Sequence, residues 1–63
     1  MLDTEKLKKL LTEKQLNQAE LGERVGVTEA MISYIIRGVK KPSLEVAKRI
    51  ADTLGVTVDT LIK

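Results

Sequence analysis

The chain contains no cysteine, histidine, tryptophan or phenylalanine. Without cysteine there is no disulfide, and without cysteine and histidine the common zinc sites are excluded. The same two absences remove the usual nucleophile–base pairs of covalent catalysis, so only scattered carboxylates remain and an enzyme is not expected. No metal, cofactor or small-molecule ligand is implied. Tyr34 is the single aromatic residue and Pro42 the single proline. The N-terminal stretch MLDTEKLKK holds no uncharged apolar run, which argues against a signal peptide or membrane span and for a cytoplasmic protein. There is no internal repeat, low-complexity tract or long linker.

What is present fits one soluble globular domain: 63 residues, 43% hydrophobic and 32% charged. A domain of this size buries only about 60% of its unfolded surface, so modest stability is expected unless it dimerises. Net charge is only +2, but it is unevenly placed. Residues 1–36 carry five basic and six acidic side chains; residues 37–63 carry six basic and three acidic. The basic excess begins at Arg37, as a phosphate-facing patch would.

The stretch that organises the chain is residues 18–37, QAELGERVGVTEAMISYIIR. Two helical patterns, 18–25 and 28–37, meet at Gly26. Asn17 and Glu20 have the spacing of a capping box, and Leu16 and Leu21 that of a hydrophobic staple. Val25 ends the apolar stripe, Gly26 supplies a left-handed turn, Val27 plugs it, and Thr28 caps the next helix with Glu29 in its first turn. So short a turn makes the two helices cross steeply. Gly22 lies mid-helix, where glycine costs about 1 kcal/mol relative to alanine, and is read as a point of close helix approach.

These residues resemble the helix-turn-helix of the lambda-repressor-like, Cro/repressor-type (Xre) family. The pattern takes Gln18 at its first position, Gly22 at the small fifth position, Gly26 at the ninth, and Leu21, Val25, Val27, Ile32 and Ile35 at its apolar positions. RGVKKPSLEVAKRIADTLGV resembles the family's continuation, so the similarity covers nearly the whole chain. It implies an all-α, five-helix domain over residues 1–63, sequence-specific double-stranded DNA binding, a regulatory role, and a bacterial or phage origin.

Around this core the remaining elements read as follows. Helix 1 is expected over 4–14, capped by Asp3 or Thr4, with Leu7, Leu10 and Leu11 inward and Lys6, Lys8 and Lys9 outward. In helix 3, Ile32, Ile35 and Ile36 cluster on one side, while Ala30, Ser33, Tyr34 and Arg37 lie opposite, flanked by Glu29 and Met31. Gly38 stops helix 3. Pro42 sets an extended loop, and Ser43 caps helix 4. The expected buried stripe of helix 4 is Leu44, Ala47, Ile50, Ala51 and Leu54, with Lys48 and Arg49 off it and Val46 open to solvent. Gly55 ends that helix. Thr57 caps helix 5 over 58–62; Val56, Val58 and Leu61 close the core and Ile62 stays exposed. Three glycines are thus helix stops, the fourth is a packing contact, and none resembles a phosphate-binding loop.

The outward face of helix 3 is the candidate for the major groove. Thr28, Glu29, Ala30, Ser33 and Tyr34 are the candidate base-reading residues: Glu29 suits a cytosine amino group, Ala30 a thymine methyl, Ser33 a base edge, and Tyr34 a methyl, a sugar or a phosphate. Glu29 also serves as a dipole-stabilising helix start, and Met31 is read as packing. The resemblance implies phosphate contacts from Gln18, Arg37, Lys40 and Lys41, and a weak homodimer, or a dimer formed on DNA, through residues 56–63 with Val56, Val58 and Ile62. Such a dimer places two recognition helices about 34 Å apart on a pseudo-palindromic operator. The chain has no room for an effector domain, which points to repression by operator occlusion.

One departure from the family pattern concerns a helix 1 Arg paired with a Glu near the end of helix 3. Leu11 and Ile36 occupy those positions here, so an apolar contact replaces the ion pair, or Ile36 serves a partner. The competing function keeps the fold but makes it a protein-interaction module, an antitoxin-like partner or transcriptional co-regulator, using Met31, Ile36 and Ile62 as exposed apolar contacts.

Overall fold

Among the described residues, each of the five helices starts on a side-chain oxygen. Asp3 accepts from the Lys6 amide at 3.1 Å, Asn17 from Glu20 at 2.7 Å, Thr28 from Met31 at 3.1 Å, Ser43 from Val46 at 3.2 Å and Thr57 from Thr60 at 3.3 Å. Each satisfies a donor that the first helical turn leaves without a partner. In α2 the Glu20 carboxylate also accepts from the Asn17 amide at 3.2 Å, completing the capping box.

The computed structural model describes residues 2–62; Met1, which opens the N-terminal stretch, and Lys63, the last residue of the expected dimer edge, lie outside the described residues. Five helices follow in order: α1 Thr4–Glu13, α2 Gln18–Val25, α3 Glu29–Ile36, α4 Leu44–Leu54 and α5 Val58–Leu61. Among the described residues there is no sheet, only an isolated antiparallel bridge between Leu2 and Ile62. Beside it the Asp3 amide donates to the Leu61 carbonyl at 2.7 Å. Among the described residues no helix is long and apolar enough to cross a membrane.

The first four helices end alike. The sixth amide along donates back to the first carbonyl: Leu16 to Leu11, Val27 to Gly22, Val39 to Tyr34 and Val56 to Ala51, at 2.9–3.0 Å. That geometry needs a left-handed residue in between. Gly26 (φ 87°), Gly38 (φ 76°) and Gly55 (φ 71°) fill three of those places as expected, and Gln15 (φ 56°) fills the fourth.

The core is built from Leu7 and Leu11 of α1, Leu21 and Val25 of α2, all three isoleucines of α3, Ile50, Ala51 and Leu54 of α4, and Leu61 of α5. Leu10, Leu16, Val27, Met31, Val46, Val56 and Val58 pack against it half-buried. Leu11 and Ile36 are both buried in this cluster, and α1 packs directly on α3.

Three expectations need correction. Leu44 is not part of the buried stripe of α4; it is 66% exposed, and Val46 faces the core instead. Leu44 is the first residue of α4, where it borders an open groove with Leu2, Pro42, Val58 and Ile62 instead of entering the core. Ile36 is only 4% exposed, so it offers nothing to a partner; Met31 is half-buried as well. Ile62 leaves α5 for extended backbone, because its pairing with Leu2 takes the place of a further helical residue.

Candidate nucleic-acid interface

The geometry of α3 follows from what holds it from behind. Ile32, Ile35 and Ile36 sink into the core at 0%, 1% and 4% exposure, which fixes the rotation of the helix about its axis. The opposite face then has to be outward. Glu29, Ala30, Tyr34 and Arg37 are exposed and Ser33 is half-buried. Thr28 is exposed at the helix start, where its hydroxyl oxygen is committed to the Met31 amide.

Two features set α3 against α2. Gly22 is fully enclosed, and a Cβ built there would lie 2.8 Å from the Val27 carbonyl oxygen and 3.2 Å from Thr28. The turn therefore folds back directly over Gly22, whose own carbonyl accepts the amides of Gly26 and Val27 at 2.8 and 2.9 Å. The second feature comes from α4. Arg49 Nη1 donates to the Val25 carbonyl at 3.2 Å, and its Nη2 meets Glu45 Oε1 at 2.7 Å. A cation at the last turn of α2 complements the free carbonyls and the dipole there. Helical spacing alone places Arg49 off the apolar stripe and does not reveal this contact.

Past α3 the chain reverses at Gly38, and the Tyr34 carbonyl accepts the amides of both Val39 (2.9 Å) and Lys40 (3.2 Å). Lys40 and Lys41 project into solvent beside the end of α3. Arg37 Nε donates to the Ser33 carbonyl at 3.4 Å, and its guanidinium carbon lies 5.3 Å from the centre of the Tyr34 ring. Among the described residues the single ion pair is Arg49–Glu45, so Arg37, Lys40 and Lys41 are left uncompensated. Gln18 stands half-buried at the first position of α2, where backbone amides are also free.

The structure thus brings Glu29, Ala30, Ser33, Tyr34 and Arg37 onto one surface, with Lys40 following in the attached loop. Of the expected dimer-edge residues, Val56 and Val58 are half-buried against their own core, and Ile62 alone of that set is exposed, at 48%. Sequence reading missed Val39, which is 64% exposed between Arg37 and Lys40. The matching residues after the other helices, Leu16, Val27 and Val56, pack on the core. The Tyr34–Arg37 pairing was also missed, although its spacing of three along a helix is the signal that places two side chains together. Among the described residues no acidic cluster is arranged to hold a metal ion.

Comparison with known proteins agrees with this arrangement. A family model described as helix-turn-helix matches residues 7–61. A protein of Methanothermobacter thermautotrophicus (strain Delta H), named as an uncharacterized HTH-type transcriptional regulator, is 52% identical over 40 residues; these are 64% of this chain and 58% of that relative. A chain of the solved SinR protein/SinI protein complex superposes with a TM-score of 0.88 at 30% identity, covering 100% of this chain and 61% of the other. This chain therefore spans less than two thirds of the length of either relative. Enclosed Gly22, left-handed Gly26 and the buried isoleucines of α3 stand where the helix-turn-helix pattern requires them, and the chain belongs to the lambda-repressor-like, Cro/repressor-type helix-turn-helix family.

Proposed function

We propose that this chain is a transcriptional regulator that binds double-stranded DNA sequence-specifically, with α3 in the major groove. The observation that carries the reading is the division of α3 into an isoleucine face sunk in the core and an opposite face left to solvent. A major groove admits one helix and presents donors, acceptors and methyl groups that short side chains such as Thr28, Glu29, Ala30 and Ser33 can meet. Gln18, Arg37, Lys40 and Lys41 grip the phosphates on either side and set the register. Ile62, with the solvent-facing parts of Val56 and Val58, joins two copies weakly, so that a pseudo-palindromic operator is covered and polymerase is blocked. The site of action is then the compartment that holds the DNA.

A second reading has support of its own. The similar solved chain is part of a complex of two proteins, and Leu44 (66%) and Ile62 (48%) expose apolar surface beside a shallow groove of about 220 Å³. A protein-interaction module would use that side of the molecule rather than α3.

Titration of a labelled duplex pool at increasing salt separates the two. DNA binding should weaken steeply with salt, by a slope of about 0.9 per neutralised phosphate, and Lys40→Ala with Lys41→Ala should flatten that slope by nearly two. Absence of any duplex complex at low salt would refute the DNA reading.

A further inference from the structure

We propose that the Tyr34 ring is a positioning platform for Arg37, which turns the guanidinium into a preset clamp for one DNA phosphate. The proposal rests on the DNA reading above and specifies how its central aromatic residue works.

Arginine is costly to hold still, because its side chain carries about 2 kcal/mol of rotamer entropy. Arg37 is nevertheless restrained twice from within its own helix. Its Nε donates to the Ser33 carbonyl, 3.4 Å away, and its guanidinium carbon sits 5.3 Å from the Tyr34 ring centre, within cation–π range. The first restraint uses the Nε–H, and the second is the Tyr34 ring that the guanidinium carbon lies over. They leave both Nη amino groups unengaged, and no carboxylate pairs with Arg37 among the described residues. A planar fork with its Nη donors free is the arrangement that takes two phosphate oxygens at once.

The neighbouring backbone points the same way. The Tyr34 carbonyl holds the amides of Val39 and Lys40, so the loop that presents Lys40 starts from the residue whose ring supports Arg37. Tyr34 thus ties the reading helix to two phosphate-seeking cations, one through its ring and one through its main chain. The main-chain tie survives any substitution at this position, so side-chain variants isolate the ring. Tyr34 is 39% exposed, and no hydrogen bond from its hydroxyl is present among the described residues. The ring, not the hydroxyl, is the working part.

The test is a double-mutant cycle on the full chain, with Tyr34→Phe, Tyr34→Leu and Arg37→Gln, alone and combined. Each folded variant, checked by circular dichroism, is titrated with a duplex recovered from a random pool and with a random duplex, at several salt concentrations. Removing Arg37 should flatten the salt slope by about one. Its penalty in affinity should be about two- to fivefold smaller in a Tyr34→Leu background than in the original chain, the size of an exposed cation–π contact. The Phe background should restore the full penalty, which a merely structural role would not do. Equal penalties in all three backgrounds, or a Phe background that behaves like Leu, would overturn the platform. If the original chain binds no duplex, the DNA reading itself fails, and that result is distinct from binding without coupling.

Discussion

Arg49 Nη1 donates to the Val25 carbonyl at 3.2 Å, joining α4 to the end of α2 across 24 residues of sequence. The bond lies at the turn that sets the crossing of α2 and α3, next to Gly26. Arg49→Ala is expected to cost about 1 kcal/mol, the net worth of one part-buried hydrogen bond with some dipole contribution. Glu45→Ala should cost less, about 0.3–0.5 kcal/mol, because that pair is a solvent-exposed i,i+4 contact. Denaturant midpoints of the two variants check the order; a larger loss from Glu45→Ala would show that the surface pair matters more than the tie to α2.

Gly22→Ala tests the close approach of the turn. In an open helix this change gains about 1 kcal/mol. Here the new methyl meets backbone, the Val27 carbonyl at 2.8 Å, which cannot swing aside as a side chain can. A net loss of about 1–3 kcal/mol is expected, as for an overpacked core. A midpoint that rises would mean that the turn does not rest on α2.

Gln15 holds a left-handed conformation (φ 56°) that costs an L-residue about 1–2 kcal/mol. Gln15→Gly should relieve it and stabilise the chain by up to about 1 kcal/mol, since glycine's greater freedom when unfolded offsets part of the gain. Gln15→Val should destabilise, as a β-branched side chain tolerates this region least. Thermal melts of the pair give the sign directly, and a valine variant more stable than the glycine one would contradict the assignment.

Leu11 and Ile36 stand where many relatives would place an ion pair, and both are buried in one cluster. Leu11→Ala and Ile36→Val should therefore be non-additive, with a coupling of about 0.5 kcal/mol or more. Additive losses would mean that the two residues contribute to the core separately.

How much of this was legible in the sequence depends on how local the signal was. Four of the five caps and three of the four left-handed stops were readable, and the first cap was narrowed to Asp3 or Thr4, because Asp, Asn, Thr, Ser and Gly act within a turn of where they stand. The outward face of α3 was readable because three isoleucines at helical spacing leave no other rotation. Gln15 was missed because no glycine marks the stop after α1. Leu44 was misplaced because a helical period tells which way a residue points, not whether another element covers the first position of the helix. Arg49 and the Leu2–Ile62 bridge were out of reach, since their partners are distant in sequence. The Tyr34–Arg37 couple is within reach of the sequence, since a spacing of three on a helix sets two side chains side by side.

The reading of bases by the outward face of α3 is tested most directly by recovering bound duplexes from a random pool, once with the original chain and once with Ser33→Ala. The expected result is one enriched motif, in half-sites about 34 Å apart if two copies bind, with preference relaxed at a single position of each half-site in the variant. A pool that yields no motif, or an identical motif from both proteins together with one that is equally unmoved by changes at Glu29 and Ala30, would contradict it.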